Sequence, residues 1–196
     1  MKLLSFATAA LLSLALLPGC KDASSPSGSA EAAAKAPVSI AAIEAEGRGF
    51  TVGSPMSART VYVFFDPQCP HCAALWQSAK PLKSQAKFIW MPVGIIGKTS
   101  IAQGATILSS PDPIAAMEQN ETSILARQGG ISASGDIDAM KPVVEKNTAL
   151  MTRFGFASIP TIVALNAQTG ALVTNEGSLP TAELARLLGL QIPSGQ

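Results

Sequence analysis

The chain has 196 residues, 47 % of them apolar, and a formal net charge of +1. That balance gives no electrostatic reason for a nucleic-acid partner, and the apolar share is ample for a buried core. Its three cysteines are too few for a disulfide framework at this length; they fall as one isolated residue, Cys20, and one close pair, Cys69 and Cys72.

Met1-Lys2 supplies a positive start. Leu3 to Leu17 is apolar apart from small polar interruptions, and Leu17-Pro18-Gly19-Cys20 closes the segment. Residues 1–20 read as an export signal, too short and wrongly flanked for a permanent membrane span. Leu-x-Gly-Cys resembles the bacterial lipobox, in which the cysteine becomes the lipidated N-terminus, so a membrane anchor at Cys20 is expected. Pro18 departs from that pattern; ordinary cleavage nearby leaves Cys20 unpaired or removes it. On either reading the mature chain is exported to the periplasm, and a dithiol there meets an oxidising environment. Residues 21–37 are rich in Ser, Pro, Gly, Ala, Glu and Lys, without apolar periodicity, and read as a flexible linker. Fully extended it reaches on the order of 55 Å, enough to hold a domain off a membrane.

The folded domain is expected over 38–192. Ile40 to Glu46 is short and ambiguous. Gly49 to Gly53 reads as an edge strand, Ser54 to Ala58 as a turn, and Thr60 to Phe65, apolar on both faces, as a buried central strand. Pro70 to about Ala86 reads as a helix with Pro70 in its first turn and a kink at Pro81. Lys87 to Gly94 is the next strand, parallel to the central one because a helix connects them. From about 97 to 155 the pattern turns helical: Ser100 to Leu108, a segment opened by Asp112-Pro113 with Ile114, Met117 and Glu118 in phase, and a long helix from Asp136 to Phe154. This block reads as an inserted helical subdomain. Pro160 to Leu165 and Ala171 to Thr174 form a hairpin around Asn166 to Gly170, and Leu179-Pro180 opens a final helix that ends near Gly189.

A dithiol at a helix N-terminus, and a Pro-containing turn before a C-terminal hairpin, make this an α/β thioredoxin fold with an inserted helical subdomain. In Cys69-Pro70-His71-Cys72 the first cysteine meets the helix N–H groups and the positive end of the helix dipole. His71, the single histidine of the chain, adds positive charge between the sulfurs. Both effects favour a Cys69 thiolate, while Cys72, a turn deeper, resolves the mixed disulfide that Cys69 forms. The working group is thus the Cys69–Cys72 redox-active disulfide, with no other cofactor. No metal is expected, since a closed zinc cage needs a second ligand pair. In the thioredoxin architecture a cis-proline lies against the dithiol beside an extended substrate. Ile159-Pro160 is placed for that role, with Pro70 on the same substrate-facing rim. Thioredoxin carries a buried acid six residues before its first cysteine; here that residue is Val63. Asp66 reads mainly as a turn former, Phe65 and Trp76 as core, and Met117, Met140 and Met151 as core fillers. Asn120-Glu121-Thr122 fits a glycosylation sequon, at odds with a bacterial export signal.

Val61-Tyr62-Val63-Phe64-Phe65-Asp66-Pro67-Gln68-Cys69-Pro70-His71-Cys72, Asn147-Thr148-Ala149-Leu150-Met151, Phe156-Ala157-Ser158-Ile159-Pro160-Thr161-Ile162 and Gly177-Ser178-Leu179-Pro180 resemble the periplasmic thiol:disulfide interchange proteins of the DsbC/DsbG family, DsbG more closely. The resemblance runs from about Phe50 to Leu190. It implies that Cys69 attacks, Cys72 resolves and Pro160 helps bind substrate. Cysteine-containing envelope proteins are the implied partners, and a membrane thiol reductase of the DsbD type the implied electron donor. Pro70-His71 departs from the family toward the oxidase DsbA, and Ile159 stands where the family has threonine. About a dozen residues separate linker and edge strand, too few for the family's N-terminal dimerisation domain, so a monomer is expected. A DsbG-like interchange protein kept reduced, a DsbA-like oxidase kept oxidised, and a tethered peptide-binding module remain the competing functions.

Overall fold

The computed structural model describes residues 35–193. Cys20, the export signal and most of the linker lie outside the described residues. The compact unit starts at Lys35: the Ala36 N–H donates to the Arg153 carbonyl at 2.9 Å and Lys35 Nζ to the Gly155 carbonyl at 3.1 Å.

The centre is a five-stranded sheet in the order β1-β3-β2-β4-β5. The strands are β1 (Phe50–Gly53), β2 (Thr60–Phe65), β3 (Lys87–Pro92), β4 (Thr161–Leu165) and β5 (Leu172–Glu176). β2 and β3 are parallel, as the helical connection requires, with Val63 opposite Trp90. β2 and β4 are antiparallel, with Val63 opposite Ile162, and β1 and β5 close the edges in antiparallel pairs.

Side chains alternate across a strand, so β2 supplies both faces. Val61, Val63 and Phe65 enter one core, with Leu75 and Trp76 of α2 (Pro70–Ala79) and Leu184 and Leu188 of α6 (Thr181–Leu188). Tyr62 and Phe64 enter a second core, with Ile43 of α1 (Ile40–Glu46) and Leu150 and Met151 of α5 (Lys141–Arg153). The first core holds both cysteines of the pair. Between β3 and β4 run α3 (Ser100–Ser109), α4 (Pro113–Leu125) and α5. The inserted block is therefore more than an appendage, because α5 is one of the two helices covering the second face. Gly104 of α3 allows close packing: a Cβ there would lie 2.9 Å from Pro92 Cβ and 3.3 Å from Val144 Cγ2.

Two helix boundaries differ by several residues from the sequence reading. α2 stops at Ala79, and Lys80–Leu82 tightens into a 3₁₀ turn, because Pro81 brings no N–H to continue the α-helical ladder. α5 begins at Lys141 with Pro142 in its first turn; Ile137 lies before it in a turn whose carbonyl accepts from Met140 and Lys141 N–H. Met140 is accordingly half-buried at the N-cap, and Ile114 on α4 is 45 % exposed, not core. The ambiguous Ile40–Glu46 is a helix, capped by Ser39 Oγ accepting the Ala42 N–H at 3.3 Å.

Candidate active site

β2 ends at Phe65, and the next residue, Asp66, is fully buried. Its carboxylate accepts three backbone N–H groups: Gln68 at 2.9 Å, Ile95 at 2.7 Å and Ile96 at 2.9 Å. One side chain thus shapes the turn into the dithiol and anchors the loop after β3. The same turn is gripped from the inserted helices. Asn120 Nδ2 of α4 donates to the Pro67 carbonyl at 2.9 Å, and Asn120 Oδ1 accepts the Ile131 N–H at 3.0 Å. Gln68 Nε2 donates to Gln103 Oε1 of α3 and to the Gly129 carbonyl, the latter at 2.8 Å. Gln103 Nε2 in turn donates to the Gly129 and Ile131 carbonyls at 2.8 and 2.7 Å.

This turn delivers Cys69 to the N-cap of α2, where its Sγ accepts the Cys72 N–H at 3.3 Å. Cysteine thus occupies the position where Ser or Asp usually satisfies an orphan N–H. Both cysteines are free thiols; Cys69 keeps 3 % exposure and Cys72 none. Ile159-Pro160 lies opposite, joined by a cis peptide bond, and the Cys69 thiol donates to the Ile159 carbonyl at 3.9 Å. Pro160 is buried, Ile159 half-buried, and Pro70 and His71 exposed. Glu176 of β5 supports this segment, its Oε2 accepting the Ala157 and Ser158 N–H groups at 2.9 and 2.7 Å.

The two thiols are driven apart in acidity. The hydrogen bond from the Cys72 thiol holds Cys69 below the ordinary thiol range; burial opposes this, and the backbone N–H groups of Cys72 and His71 add to it. Burial pushes Cys72 well above that range, reinforced by its donation to Cys69 and by the Cys69 charge. The described contribution of His71 comes through its backbone N–H, the side chain being exposed. Among the described residues no group of three or more His, Cys, Asp and Glu is gathered to hold a metal ion.

The family described as Thioredoxin-like domain matches residues 54–192, most of the chain. The chain belongs to the thioredoxin-like family. This thioredoxin-like chain is 34 % identical over 145 residues to the thiol:disulfide interchange protein DsbG of Pseudomonas aeruginosa, covering 70 % of this chain and 54 % of the relative. It is 36 % identical over 104 residues to DsbG of Escherichia coli, covering 52 % of this chain and 42 % of that protein. It therefore spans about half the length of the curated relatives it matches. A crystal structure of a thioredoxin-like oxidoreductase from Silicibacter pomeroyi superposes with a TM-score of 0.61 at 20 % identity, over 78 % of this chain and 96 % of that one. At that identity the likeness concerns the fold.

Within this thioredoxin-like site, sequence reasoning brought Cys69, Cys72 and Pro160 together and missed Gln68, Gln103, Asn120 and Glu121. The signal for the last two lies in helix phase. Met117, Asn120, Glu121 and Ile124 are spaced i, i+3, i+4, i+7, and all four are buried. Two polar residues on such a stripe mark a buried network, whereas Asn120-Glu121-Thr122 read as a tripeptide motif hides that phase.

Proposed function

We propose that this protein is an exported thiol:disulfide oxidoreductase acting on cysteines of envelope proteins through Cys69 and Cys72. The observation that carries the reading is Cys69 at the N-cap of α2, its sulfur accepting the Cys72 N–H opposite the cis Ile159-Pro160 segment. A thiolate is the nucleophile in disulfide exchange, and this placement favours one. Cys69 attacks a substrate disulfide and forms a mixed disulfide; Cys72, one turn deeper, attacks Cys69 and releases the substrate reduced. Substrate lies extended against Ile159-Pro160, with Pro70 and His71 on the exposed rim.

The likeness to DsbG supports interchange in the periplasm, with the pair kept reduced by a membrane reductase of the DsbD type. The Leu17-Pro18-Gly19-Cys20 segment supports a lipid anchor at Cys20, which mass spectrometry of the mature N-terminus tests. The domain's own helices cover both faces of its sheet, which supports a monomer; sedimentation equilibrium tests that.

One observation favours a second reading. A stabilised Cys69 thiolate stabilises the reduced form, so the disulfide is more oxidising; each ~30 mV corresponds to about 1.4 kcal/mol for this two-electron couple. That suits an oxidase. Trapping Cys69 and Cys72 by alkylation in living cells decides: mostly reduced supports interchange, mostly oxidised supports the oxidase. Cys69→Ser abolishes both activities; a cellular phenotype that survives it favours a tethered peptide-binding module.

A further inference from the structure

Glu121 of α4 is fully buried. Its Oε1 accepts from Asn120 Nδ2 at 3.3 Å, and its Oε2 has no hydrogen-bond partner. A buried polar atom without a partner is costly and asks for a reason. Helix register supplies one. Trp76 Nε1 of α2 donates to Glu118 Oε2 at 2.6 Å, and Asn120 reaches back to Pro67, just before α2. Residue numbers fall along α2 as they rise along α4, so the helices run antiparallel. One turn back from Trp76 is Cys72, and one turn on from Glu118 is Glu121. Helix register thus turns the unpartnered carboxyl toward the buried resolving thiol, near enough for its charge to be felt at Cys72.

The other acids nearby are engaged. Asp66 accepts three backbone N–H groups, and Glu118 holds Lys80 Nζ and Trp76 Nε1. The groups facing Glu121 are thus Asp66 after β2, Cys69 at the cap of α2 and Cys72 within it, Glu118 on its own helix with Lys80 paired to it, and neutral Asn120. Burial is the main cause that pushes the Glu121 carboxyl up to about 8; Asn120 opposes it, while the charges of Cys69, Glu118 and Asp66 add to it.

We propose that Glu121 is the proton acceptor that frees the Cys72 thiol to resolve the mixed disulfide, and that it returns the proton in the reverse direction. The inference rests on the disulfide-exchange reading. In the resolving step the Cys72 S–H bond breaks and its proton passes to Glu121. The freed electron pair on Cys72 forms the S–S bond to Cys69, and the bond from Cys69 to the substrate sulfur breaks. Its electron pair leaves with the substrate as a thiolate. The substrate sulfur is reduced, and the Cys69–Cys72 pair is oxidised. In the mixed disulfide Cys69 carries no charge, so one repulsion acting on an ionised Glu121 is gone when a base is needed.

The test is rapid mixing of the reduced full chain with oxidised glutathione, acid quenching, and mass measurement of the glutathione–Cys69 adduct from about pH 5 to pH 9. In Glu121→Gln the adduct forms at the wild-type rate but decays about 100-fold more slowly below pH 7. The deficit narrows only as pH rises toward the raised range in which the Cys72 thiol ionises unaided, and Glu121→Asp recovers part of the rate. Adduct decay at the wild-type rate across the whole range overturns the inference while leaving disulfide exchange intact. If the wild type never reacts with glutathione, the exchange reading falls and takes the inference with it. Should Glu121→Gln fail to fold, ¹³C-glutamate NMR of the wild type decides. One carboxyl titrating far above the others in the reduced chain, and moving down once the Cys69–Cys72 disulfide forms, supports it; ordinary titration of every glutamate overturns it.

Discussion

Cys69 and Cys72 lie three residues apart, yet one sits at a helix cap and the other inside a core, so their protons are held very differently. The pH profile of Cys69 alkylation has its midpoint below the usual thiol value of about 8.5, and Cys72 stays unreactive until well above it. Matching profiles for the two thiols contradict the geometry. Glu121 carries a stability consequence. Its folded pKa is raised to about 8, so the unfolded chain releases this proton first. Its favourable contribution is complete below the ordinary carboxyl range and is lost as pH rises toward that folded value. Glu121→Gln removes the loss. The stability advantage of the variant over the reduced wild type therefore grows with pH, by about 1.4 kcal/mol per unit at most. Urea unfolding at several pH values checks this, and a constant difference contradicts it. At Asp66 the fully buried carboxylate serves three backbone N–H groups. Asp66→Ala costs about 3 kcal/mol, measured by the same unfolding. Two of those donors come from the loop after β3, so sequence spacing shows only the local turn to Gln68.

At the scale of elements, the dithiol turn is clamped from the inserted helices. Asn120 ties α4 to Pro67 and Ile131, so Asn120→Ala leaves two buried backbone groups unpaired. It costs about 2 kcal/mol and exposes the Ile131 amide to faster hydrogen exchange, whereas an unchanged exchange rate removes the clamp from the argument. Individual elements were readable where local chemistry decides them. The run Thr60 to Phe65 gives a strand, Pro70 opens a helix, and Gly189 closes one in the left-handed region at φ 68°. They were less readable where apolar spacing imitates a helix, as at Ile137 and Met140, which belong to the turn before α5. The Asn120–Glu121 network was hidden for a related reason. Its partners come from segments far apart in the chain, and only helix phase hints at them.

Across the whole molecule the sheet separates two cores, and the dithiol draws on one of them. Leu150→Ala, in the core of α1 and α5, costs about 3 kcal/mol through the cavity it leaves yet leaves the Cys69 alkylation profile where it was. A shifted profile shows that the far face also tunes the thiols. The parallel β2–β3 pair follows from its connecting helix, so the architecture was visible in the order of elements. The double duty of the insert was not, since α5 covers the sheet while α3 and α4 hold the turn, and periodicity says nothing about which surface a helix meets. The bond from Cys69 to the Ile159 carbonyl spans 90 positions of chain, and Asp66 waits for Ile95 and Ile96. Time therefore enters the chemistry. A chain folding from its N-terminal end can form the α2 cap around Cys69 early, yet the Ile159 carbonyl opposite that sulfur and the β4 residue Ile162 of the core that holds Cys72 arrive only with the last quarter of the domain.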